Sequence, residues 1–328
     1  MNGFPEVRLR RLRKTAQLRK MLDIPLPGPE RFIWPTFVVS GKGRCEPINS
    51  MPEQNRLSID RLLKTADNIA NAGIGGILLF GVADTGKKDN PGTNAFSAKG
   101  TVQKAIREIK REIPELLIFT DVCLCAYTSH GHCGPLDSNG DVDNDKANAV
   151  LAKVAVSHAE AGADCVAPSA MMDGQVREIR KALDKSGFDQ TLLMSYSTKF
   201  ASAMYGPFRD AENSAPGKGD RKGYQASYGN QRLALRESQL DEAEGADILM
   251  VKPSLFYLDM LAKLREQTDL PIAAYNVSGE YSMLIAAAER GWGDLKGMVK
   301  ESTIALSRAG TDIIISYWAS RYKEIFRM

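Results

Sequence analysis

Two lysines stand where strand-forming segments of the sequence end. Lys199 follows the predicted strand 191–196, and Lys252 comes directly after the predicted strand 246–251. A neutral lysine amine attacks a ketone to form a Schiff base, and a neighbouring ammonium group disfavours the charged form. A single lysine at such a position is more often a surface or salt-bridged group. Because adjacent parallel strands lie about 4.8 Å apart, the pair instead predicts one site for two carbonyl substrates.

Three of the five cysteines lie within eleven positions, directly after the predicted strand 116–122. Residues two apart in an extended segment share a face, so Cys123 and Cys125 can bind one ion while the following loop returns Cys133 as a third thiolate. Three protein ligands leave one zinc position open, which is typical of a zinc that binds water or substrate. Two alternatives stay open: three reduced thiols in a loop, or a structural zinc site completed by His130 or His132.

These residues belong to a regular alternation of strand and helix patterns. Eight short β-rich apolar segments are predicted strands, at residues 32–39, 74–80, 116–122, 164–167, 191–196, 246–251, 271–275 and 312–316. Helix-period segments lie between them, at residues 56–72, 99–112, 145–161, 173–186, 230–244, 254–267 and 280–309, with a last one after Trp318. Right-handed crossovers close eight such units into a (β/α)8 TIM barrel, an α/β fold. A doubly wound open sheet is the alternative, but no glycine-rich phosphate loop follows the first strand.

Two stretches lie outside this repeat. Residues 1–30 predict an N-terminal arm ahead of a catalytic barrel domain at 31–328, and such an arm is expected to pack on a neighbouring subunit. Residues 200–226 are rich in glycine, proline and charge, and a connection of this length inside a compact domain predicts an active-site lid. The active site of a TIM barrel lies at the C-terminal ends of its strands. That is where the two lysines and the three cysteines fall.

Overall composition excludes several classes of protein. The 328 residues include 43 Lys and Arg against 40 Asp and Glu, a formal net charge of +3, and 43% are hydrophobic. These values are average for soluble globular proteins and exclude collagen-like, disordered and disulfide-framework chains. No apolar run is long enough for a membrane span, and residues 1–20 contain no apolar stretch typical of a secretion signal. We therefore expect a cytoplasmic protein with no membrane partner.

The basic N-terminal arm raises the alternative of a nucleic-acid-binding module, because its cations could neutralise phosphates. The near-neutral charge of the whole chain argues against this interpretation. The leucines at positions 9, 12, 18 and 22 favour packing of the arm against another subunit. We therefore expect no nucleic-acid partner.

Three segments are distinctive in their exact residues. They are the cysteine segment 123–133, the segment Tyr205-Gly206-Pro207-Phe208-Arg209-Asp210 downstream of Lys199, and Met250-Val251-Lys252-Pro253. Together they resemble the porphobilinogen synthase family, the 5-aminolevulinate dehydratases of tetrapyrrole synthesis, and the resemblance runs from Pro35 to Tyr317. It implies condensation of two 5-aminolevulinate molecules to a pyrrole with loss of two waters, serving haem or chlorophyll biosynthesis. It also implies a homo-octamer of barrels whose arms embrace their neighbours.

The resemblance further implies roles for particular residues. Lys252 would hold the first substrate as a Schiff base and Lys199 the second, with Asp121 as a proton acceptor and Ser169 as a hydrogen-bond partner. The implied substrate-binding residues are Ser278 and Tyr317 for the first carboxylate, Arg209, Arg221 and Gln225 for the second, and Tyr205 and Phe208 beside them. Cys123, Cys125 and Cys133 would bind zinc, and Glu237 would bind an allosteric magnesium ion.

One position departs from the family pattern. The family usually has Pro-Ser-Asp-Met-Met-Asp where this chain has Pro168-Ser169-Ala170-Met171-Met172-Asp173, so the first of these carboxylates is missing.

The nearest alternative activity is that of a class I Schiff-base aldolase, which needs one reactive lysine and no zinc.

Overall fold

The fold is a closed barrel of parallel strands, seen in a computed structural model that describes residues 3–326. The terminal residues Met1, Asn2, Arg327 and Met328, at the outer ends of the predicted arm and barrel, lie outside the described residues. The strands are β1 (Phe32–Val39), β2 (Cys45–Pro47), β3 (Asn55–Ser58), β4 (Gly76–Val82), β5 (Leu117–Val122), β6 (Cys165–Pro168), β7 (Leu192–Lys199), β8 (Ile248–Lys252), β9 (Ile272–Asn276) and β10 (Ile313–Ser316).

Eight of these strands form the barrel in the order β1, β4, β5, β6, β7, β8, β9, β10. All eight pair in parallel, and β10 pairs back with β1 through Phe32 opposite Ile314, which closes the sheet. Every residue of β1, β4, β8 and β9 is buried, as expected for strands covered by side chains inside and helices outside. The predicted TIM barrel is confirmed, and the open-sheet alternative is excluded by the closure.

The chain also forms helices, most of which cover the outside of the barrel. They are α1 (Ala16–Leu22), α2 (Ile59–Asn71), α3 (Thr101–Glu112), α4 (Asn144–Ala161), α5 (Gln175–Lys185), α6 (Gly206–Glu212), α7 (Gln231–Ala243), α8 (Leu258–Arg265), α9 (Ser278–Glu289), α10 (Leu295–Arg308) and α11 (Tyr322–Ile325). The single helix predicted at 280–309 is wrong, since α9 and α10 are separate. Gly291 adopts a positive φ of 71°, and the Asp294 side chain accepts the Gly297 N–H at 2.6 Å, which caps a new helix.

Two short strands were not predicted. β3 pairs in parallel with the end of β1, and β2 pairs antiparallel with β3, so the two extend the sheet beside the barrel. Both are shorter than five residues, and β2 is the polar sequence Cys45-Glu46-Pro47, largely exposed. A segment this short and polar lacks the alternating apolar pattern by which strands are recognised.

The same glycine and aspartate motif recurs at the N-terminal ends of three barrel strands. Three helix-to-strand turns contain a left-handed glycine followed two residues later by an aspartate: Gly162 and Asp164, Gly245 and Asp247, Gly310 and Asp312. Each carboxylate accepts a backbone N–H of the preceding barrel strand, from Ile118 at 2.7 Å, Leu193 at 2.7 Å and Ile272 at 2.9 Å, respectively. These carboxylates therefore tie β5 to β6, β7 to β8 and β9 to β10 at the end opposite the candidate site.

The residues ahead of the barrel form a short 3-10 helix, Leu9–Arg13, followed by α1. Neither element has a buried residue, and the exposed large apolar side chains include Phe4, Leu9, Leu12, Met21 and Leu22. A single copy of the chain thus leaves the apolar side of this segment uncovered. Within residues 3–326, no helix combines the length and the apolar character that crossing a membrane requires.

Candidate active site

The two lysines meet at the C-terminal end of the barrel. Lys199 is the last residue of β7 and Lys252 the last of β8, and the two are direct partners in the strand register. Both side chains are buried, and both amines lie over the ring of Tyr196, at 5.4 Å and 5.0 Å from its centroid. The predicted pairing of the two amines in one mouth is confirmed.

Aromatic rings surround the Lys252 amine. Its Nζ lies 4.2 Å from the ring centroid of Tyr275 and 4.7 Å from that of Phe208, with further rings at 5.0 Å, 5.5 Å and 5.9 Å from Tyr196, Tyr205 and Phe80. Burial, and then the charge of Lys199, lower the pKa of Lys252 to about 7. A much larger share of the Lys252 amine is therefore neutral near pH 7 than for an ordinary lysine, which is almost entirely protonated there.

Asp121 and Ser169 lie beside the lysines, on β5 and directly after β6. The Lys199 amine donates a hydrogen bond to the Ser169 carbonyl oxygen. Burial and the neighbouring Glu212 carboxyl raise the pKa of Asp121 to about 7, and the Ser169 side chain hydrogen-bonds to it. Among the described residues, Oδ1 of Asp121 has no hydrogen-bond partner. This carboxyl can therefore still accept a proton or a hydrogen bond from a ligand.

The three cysteines form a buried cluster at the same end of the barrel. Their sulfur atoms all lie within 4.8 Å of one another, and the Cys123 thiol donates to Cys125 at 3.4 Å. Hydrogen bonds from the other two thiols hold the pKa of Cys133 well below its usual range, with Arg221 contributing further. A soft donor set of this kind, with one sulfur already favoured as thiolate, fits zinc. The group can hold a metal ion, as predicted.

Neither histidine of the cysteine loop joins this cluster. The His130 ring contacts the Asn90 carbonyl oxygen at 3.2 Å, and the His132 ring contacts the Lys218 carbonyl oxygen at 2.9 Å and the Tyr224 hydroxyl at 3.2 Å. Within residues 3–326, the potential metal-binding group consists of the three cysteines. The alternative in which a histidine completes a structural site therefore has no support from the geometry.

Glu212 is a site residue that the sequence analysis missed. It ends α6 and is 2% exposed, and its Oε2 accepts a hydrogen bond from the Cys125 thiol at 3.4 Å. Burial, and then the nearby Cys125, raise its pKa to about 8. It lies in the polar, charged segment 200–226, where no local sequence signal distinguishes it from a solvent-exposed carboxylate. Glu212 therefore places a second carboxyl near Asp121. Position 170, where the family usually has an aspartate, is a buried alanine in this chain.

Ser278 and Tyr317 lie on the side of the mouth nearest β9 and β10. The Ser278 hydroxyl accepts the Phe208 N–H at 3.0 Å, and the Tyr317 hydroxyl lies 3.2 Å from that of Tyr275. The Tyr205 hydroxyl donates to the Lys252 carbonyl oxygen at 3.0 Å. Two buried hydroxyl groups thus accompany the aromatic rings around Lys252, which suits a ligand with an apolar middle and a polar end.

The segment 200–226 brings two arginines and an amide over the mouth. Arg221 donates to the carbonyl oxygens of Gly131 at 3.0 Å and Ser214 at 2.6 Å, which fixes its guanidinium group. Burial and the charge of Arg221 lower the pKa of Arg209, and Nε of Arg209 has no partner among the described residues. Both polar atoms of the buried Gln225 side chain are likewise unpaired there. Unpaired donors next to two guanidinium groups are chemically suited to bind an anion.

Glu237 lies apart from the lysines and cysteines, on α7. Burial, then Asp173 and Glu244, raise the pKa of its carboxyl. It lines a cavity of about 560 Å³ together with Asp141 and Asp173. Among the described residues these carboxyls do not approach one another closely enough to form a metal-binding group, so the magnesium ligand expected at Glu237 stays a prediction.

Comparison with known proteins identifies the same family over nearly the whole chain. The family model of delta-aminolevulinic acid dehydratase matches residues 6–325. The delta-aminolevulinic acid dehydratase of Synechococcus elongatus is 50% identical over 319 residues, covering 96% of this chain and 97% of the relative. That of Archaeoglobus fulgidus is 48% identical over 324 residues, covering 99% of both.

A solved structure matches equally well. The crystal structure of delta-aminolevulinic acid dehydratase (porphobilinogen synthase) from Toxoplasma gondii, in complex with the reaction product porphobilinogen, superposes with a TM-score of 0.95 at 43% identity. The match covers 97% of this chain and 91% of that one. By sequence and by fold, this chain belongs to the delta-aminolevulinic acid dehydratase family.

Proposed function

We propose that this protein is a porphobilinogen synthase, which condenses two molecules of 5-aminolevulinate to porphobilinogen with loss of two waters. The proposal rests on family membership and, above all, on the paired lysines Lys199 and Lys252 in one mouth with a three-cysteine cluster. An aldolase needs one Schiff-base lysine, whereas joining two keto acids gives both amines a use. The product is a precursor for tetrapyrrole synthesis.

The first substrate binds at Lys252. Its ketone is attacked by the neutral amine, which the lowered pKa makes available near neutral pH, and the carbonyl oxygen leaves as water on imine formation. The aromatic rings around Nζ exclude bulk water and contact the carbon chain. Ser278 and Tyr317 donate hydrogen bonds from their hydroxyl groups to the substrate carboxylate.

The second substrate binds at Lys199 under the segment 200–226. Arg209, Arg221 and Gln225 hold its carboxylate, and the unpaired donors of Arg209 and Gln225 support this role. A guanidinium fork matches a carboxylate in two parallel hydrogen bonds. We propose that the segment works as a lid, so that the second substrate is enclosed after the first has reacted.

Proton transfer during the condensation is assigned to Asp121, with Ser169 as its hydrogen-bond partner. A carboxyl with a pKa of about 7 can both accept and return a proton near neutral pH, and one of its oxygen atoms is unpaired. Cys123, Cys125 and Cys133 would hold zinc, which when bound supplies a Lewis acid with one open position for water or substrate.

Further features of the family belong to the same proposal. Glu237, with Asp173 beside it, binds an allosteric magnesium ion, which the mutual repulsion of the carboxylates supports. Residues 1–30 serve as the arm of a homo-octamer and residues 31–328 as the catalytic barrel, and the uncovered apolar side chains of the arm support this division. We place the enzyme in the cytoplasm.

The decisive experiment is turnover of 5-aminolevulinate combined with borohydride trapping of levulinate, a keto acid without the amine. We expect porphobilinogen formation by the zinc-loaded protein and a levulinate adduct on Lys252, found by peptide mass spectrometry. Lys252→Ala should abolish turnover, whereas Lys263→Ala, which removes an exposed lysine on α8, should leave it unchanged. Normal turnover by Lys252→Ala, or an adduct recovered only at other lysines, would contradict the proposal.

A further inference from the structure

A buried carboxylate outside the mechanism above connects several parts of the site. Glu280 lies in the first turn of α9 and is fully buried. Its Oε1 accepts the backbone N–H groups of Ser254 at 3.2 Å and Leu255 at 2.8 Å. Its Oε2 accepts the Val277 N–H at 2.9 Å and the Asn276 side-chain amide at 3.1 Å. Both oxygen atoms are therefore occupied by two donors each, and neither is free for a ligand.

The donors come from the loops that carry the first substrate site. Ser254 lies two residues after Lys252, and Val277 directly precedes Ser278. Asn276 extends the connection, because its Oδ1 accepts the Ser316 hydroxyl at 3.1 Å, next to Tyr317. One carboxylate thus reaches the ends of β8, β9 and, through Asn276, β10. These are the strand ends from which the Schiff-base lysine and both hydroxyl groups of the proposed first site arise.

We propose that Glu280 is a positioning residue that sets the separation between the Lys252 amine and the hydroxyl groups of Ser278 and Tyr317. This inference rests on the proposed function. In a keto acid the distance between the ketone and the carboxylate is limited by its own bonds, so both ends can be bound only if the protein groups stand at a matching separation. Rigid support of such groups decides how well a bound ligand is placed for reaction.

Glu280 is suited to this task because it contacts no group expected to touch substrate. Its partners are three backbone N–H groups and one amide, each set by the local chain path. Asp312 offers a matched comparison at the opposite end of the barrel. It accepts the Ile272 N–H at 2.9 Å and an Arg265 N–H at 3.1 Å, so it links strands without approaching the mouth.

The test measures the levulinate concentration that gives half-maximal borohydride trapping on Lys252. Glu280→Gln keeps the size of the side chain but turns an –NH2 group toward backbone donors, so two hydrogen bonds are lost. We expect the half-saturating concentration to rise by about 10- to 100-fold, since hydroxyl groups moved out of reach no longer donate hydrogen bonds to the levulinate carboxylate. The matched control Asp312→Asn should lower the thermal midpoint and leave the half-saturating concentration within about two-fold of the wild type.

A second, milder variant keeps the proposal testable if the Glu280→Gln protein does not fold. Ser316→Ala removes a hydroxyl that donates to Asn276 at 3.1 Å and accepts the Trp318 N–H at 3.3 Å, and it should raise the half-saturating concentration several-fold. Unchanged trapping in each folded variant, with normal trapping in the wild type, would overturn the positioning role alone. Equal increases in Asp312→Asn would also overturn it, since they would mark a general loss of stability. Absence of trapping in the wild type would remove the proposed function and this inference together.

Discussion

Replacing Lys199 by Met should raise the pH at which Lys252 reacts. The amine attacks a ketone only when it is deprotonated, so trapping of levulinate on Lys252 rises with pH through its pKa of about 7. Two causes hold that pKa below 10.5: burial, and then the charge of Lys199. Methionine keeps most of the volume of lysine and removes the charge. The ammonium form of Lys252 is then more stable, and the pH at which trapping is half-maximal rises.

The size of the change follows from the positions of the two amines over the ring of Tyr196. At a separation on the order of 5 to 10 Å and an effective dielectric constant of about 20, two unit charges repel by about 2 to 3 kcal/mol. About 1.4 kcal/mol corresponds to one pH unit. Asp121 and Glu212 remain in the variant, so the repulsion that is removed corresponds to an increase of about 1 to 2 pH units. Burial persists, and the midpoint should remain below 10.5.

The assay is borohydride trapping of levulinate from pH 5 to pH 10 at constant zinc, with the Lys252 peptide quantified by mass spectrometry. Lys199→Arg is the matched control, because it retains the positive charge and should leave the midpoint close to that of the wild type. A midpoint in Lys199→Met that is unchanged or lower would refute the argument that repulsion between the two lysines tunes Lys252. A midpoint equally raised in Lys199→Arg would point to altered packing instead of charge.

Three further outcomes are expected. Removing metal with a chelator should lower turnover while the thermal midpoint changes by only a few degrees, because an open three-cysteine site serves chemistry more than folding; full activity without zinc would contradict this. Arg209→Lys keeps the charge but loses the fork, so steady-state kinetics should show a KM raised about ten-fold, while the Lys252 adduct with levulinate still forms; loss of that adduct would refute the division into two substrate sites. Asp164→Asn, which replaces the acceptor of the Ile118 N–H, should reduce the free energy of unfolding by about 1 to 3 kcal/mol in denaturant titration without changing KM; an altered KM would show that the two ends of the barrel are coupled.

The barrel and the lysine pair could be predicted because both depend on local patterns. Each of the eight predicted strands corresponds to a barrel strand, since buried parallel strands are short apolar runs between helical segments. Once the strands are assigned, the rule that active sites lie at their C-terminal ends places Lys199 and Lys252 together. The cysteine cluster was predicted from the spacing of its three members, but the reason given for it is wrong: Cys123 and Cys125 lie in a bend and turn directly after β5 and not in an extended segment.

What could not be predicted depends on contacts between distant segments. Glu212 belongs to a polar stretch, and only the folded chain brings it to Cys125, 87 positions away. Glu280 gave no signal either, because its four donors come from two separate loops. The break between α9 and α10 was hidden by a helical pattern on both sides, although Gly291 and Asp294 are residues typical of helix ends.

The aspartate links at the N-terminal ends of the strands divide the barrel into pairs, and the proposed site residues follow the same division. Above the β5 and β6 pair stand Asp121 and Ser169, above β7 and β8 stand the two lysines, and above β9 and β10 stand Ser278 and Tyr317. Each tied pair of strands is thus a module that contributes one duo of functional groups. A five-residue strand such as β8 keeps its two ends about 15 Å apart. Substitutions can therefore change one pair of functional residues at the mouth while the aspartate link at the other end of the same strands is kept. Chemistry and folding then depend on different residues of the same strands.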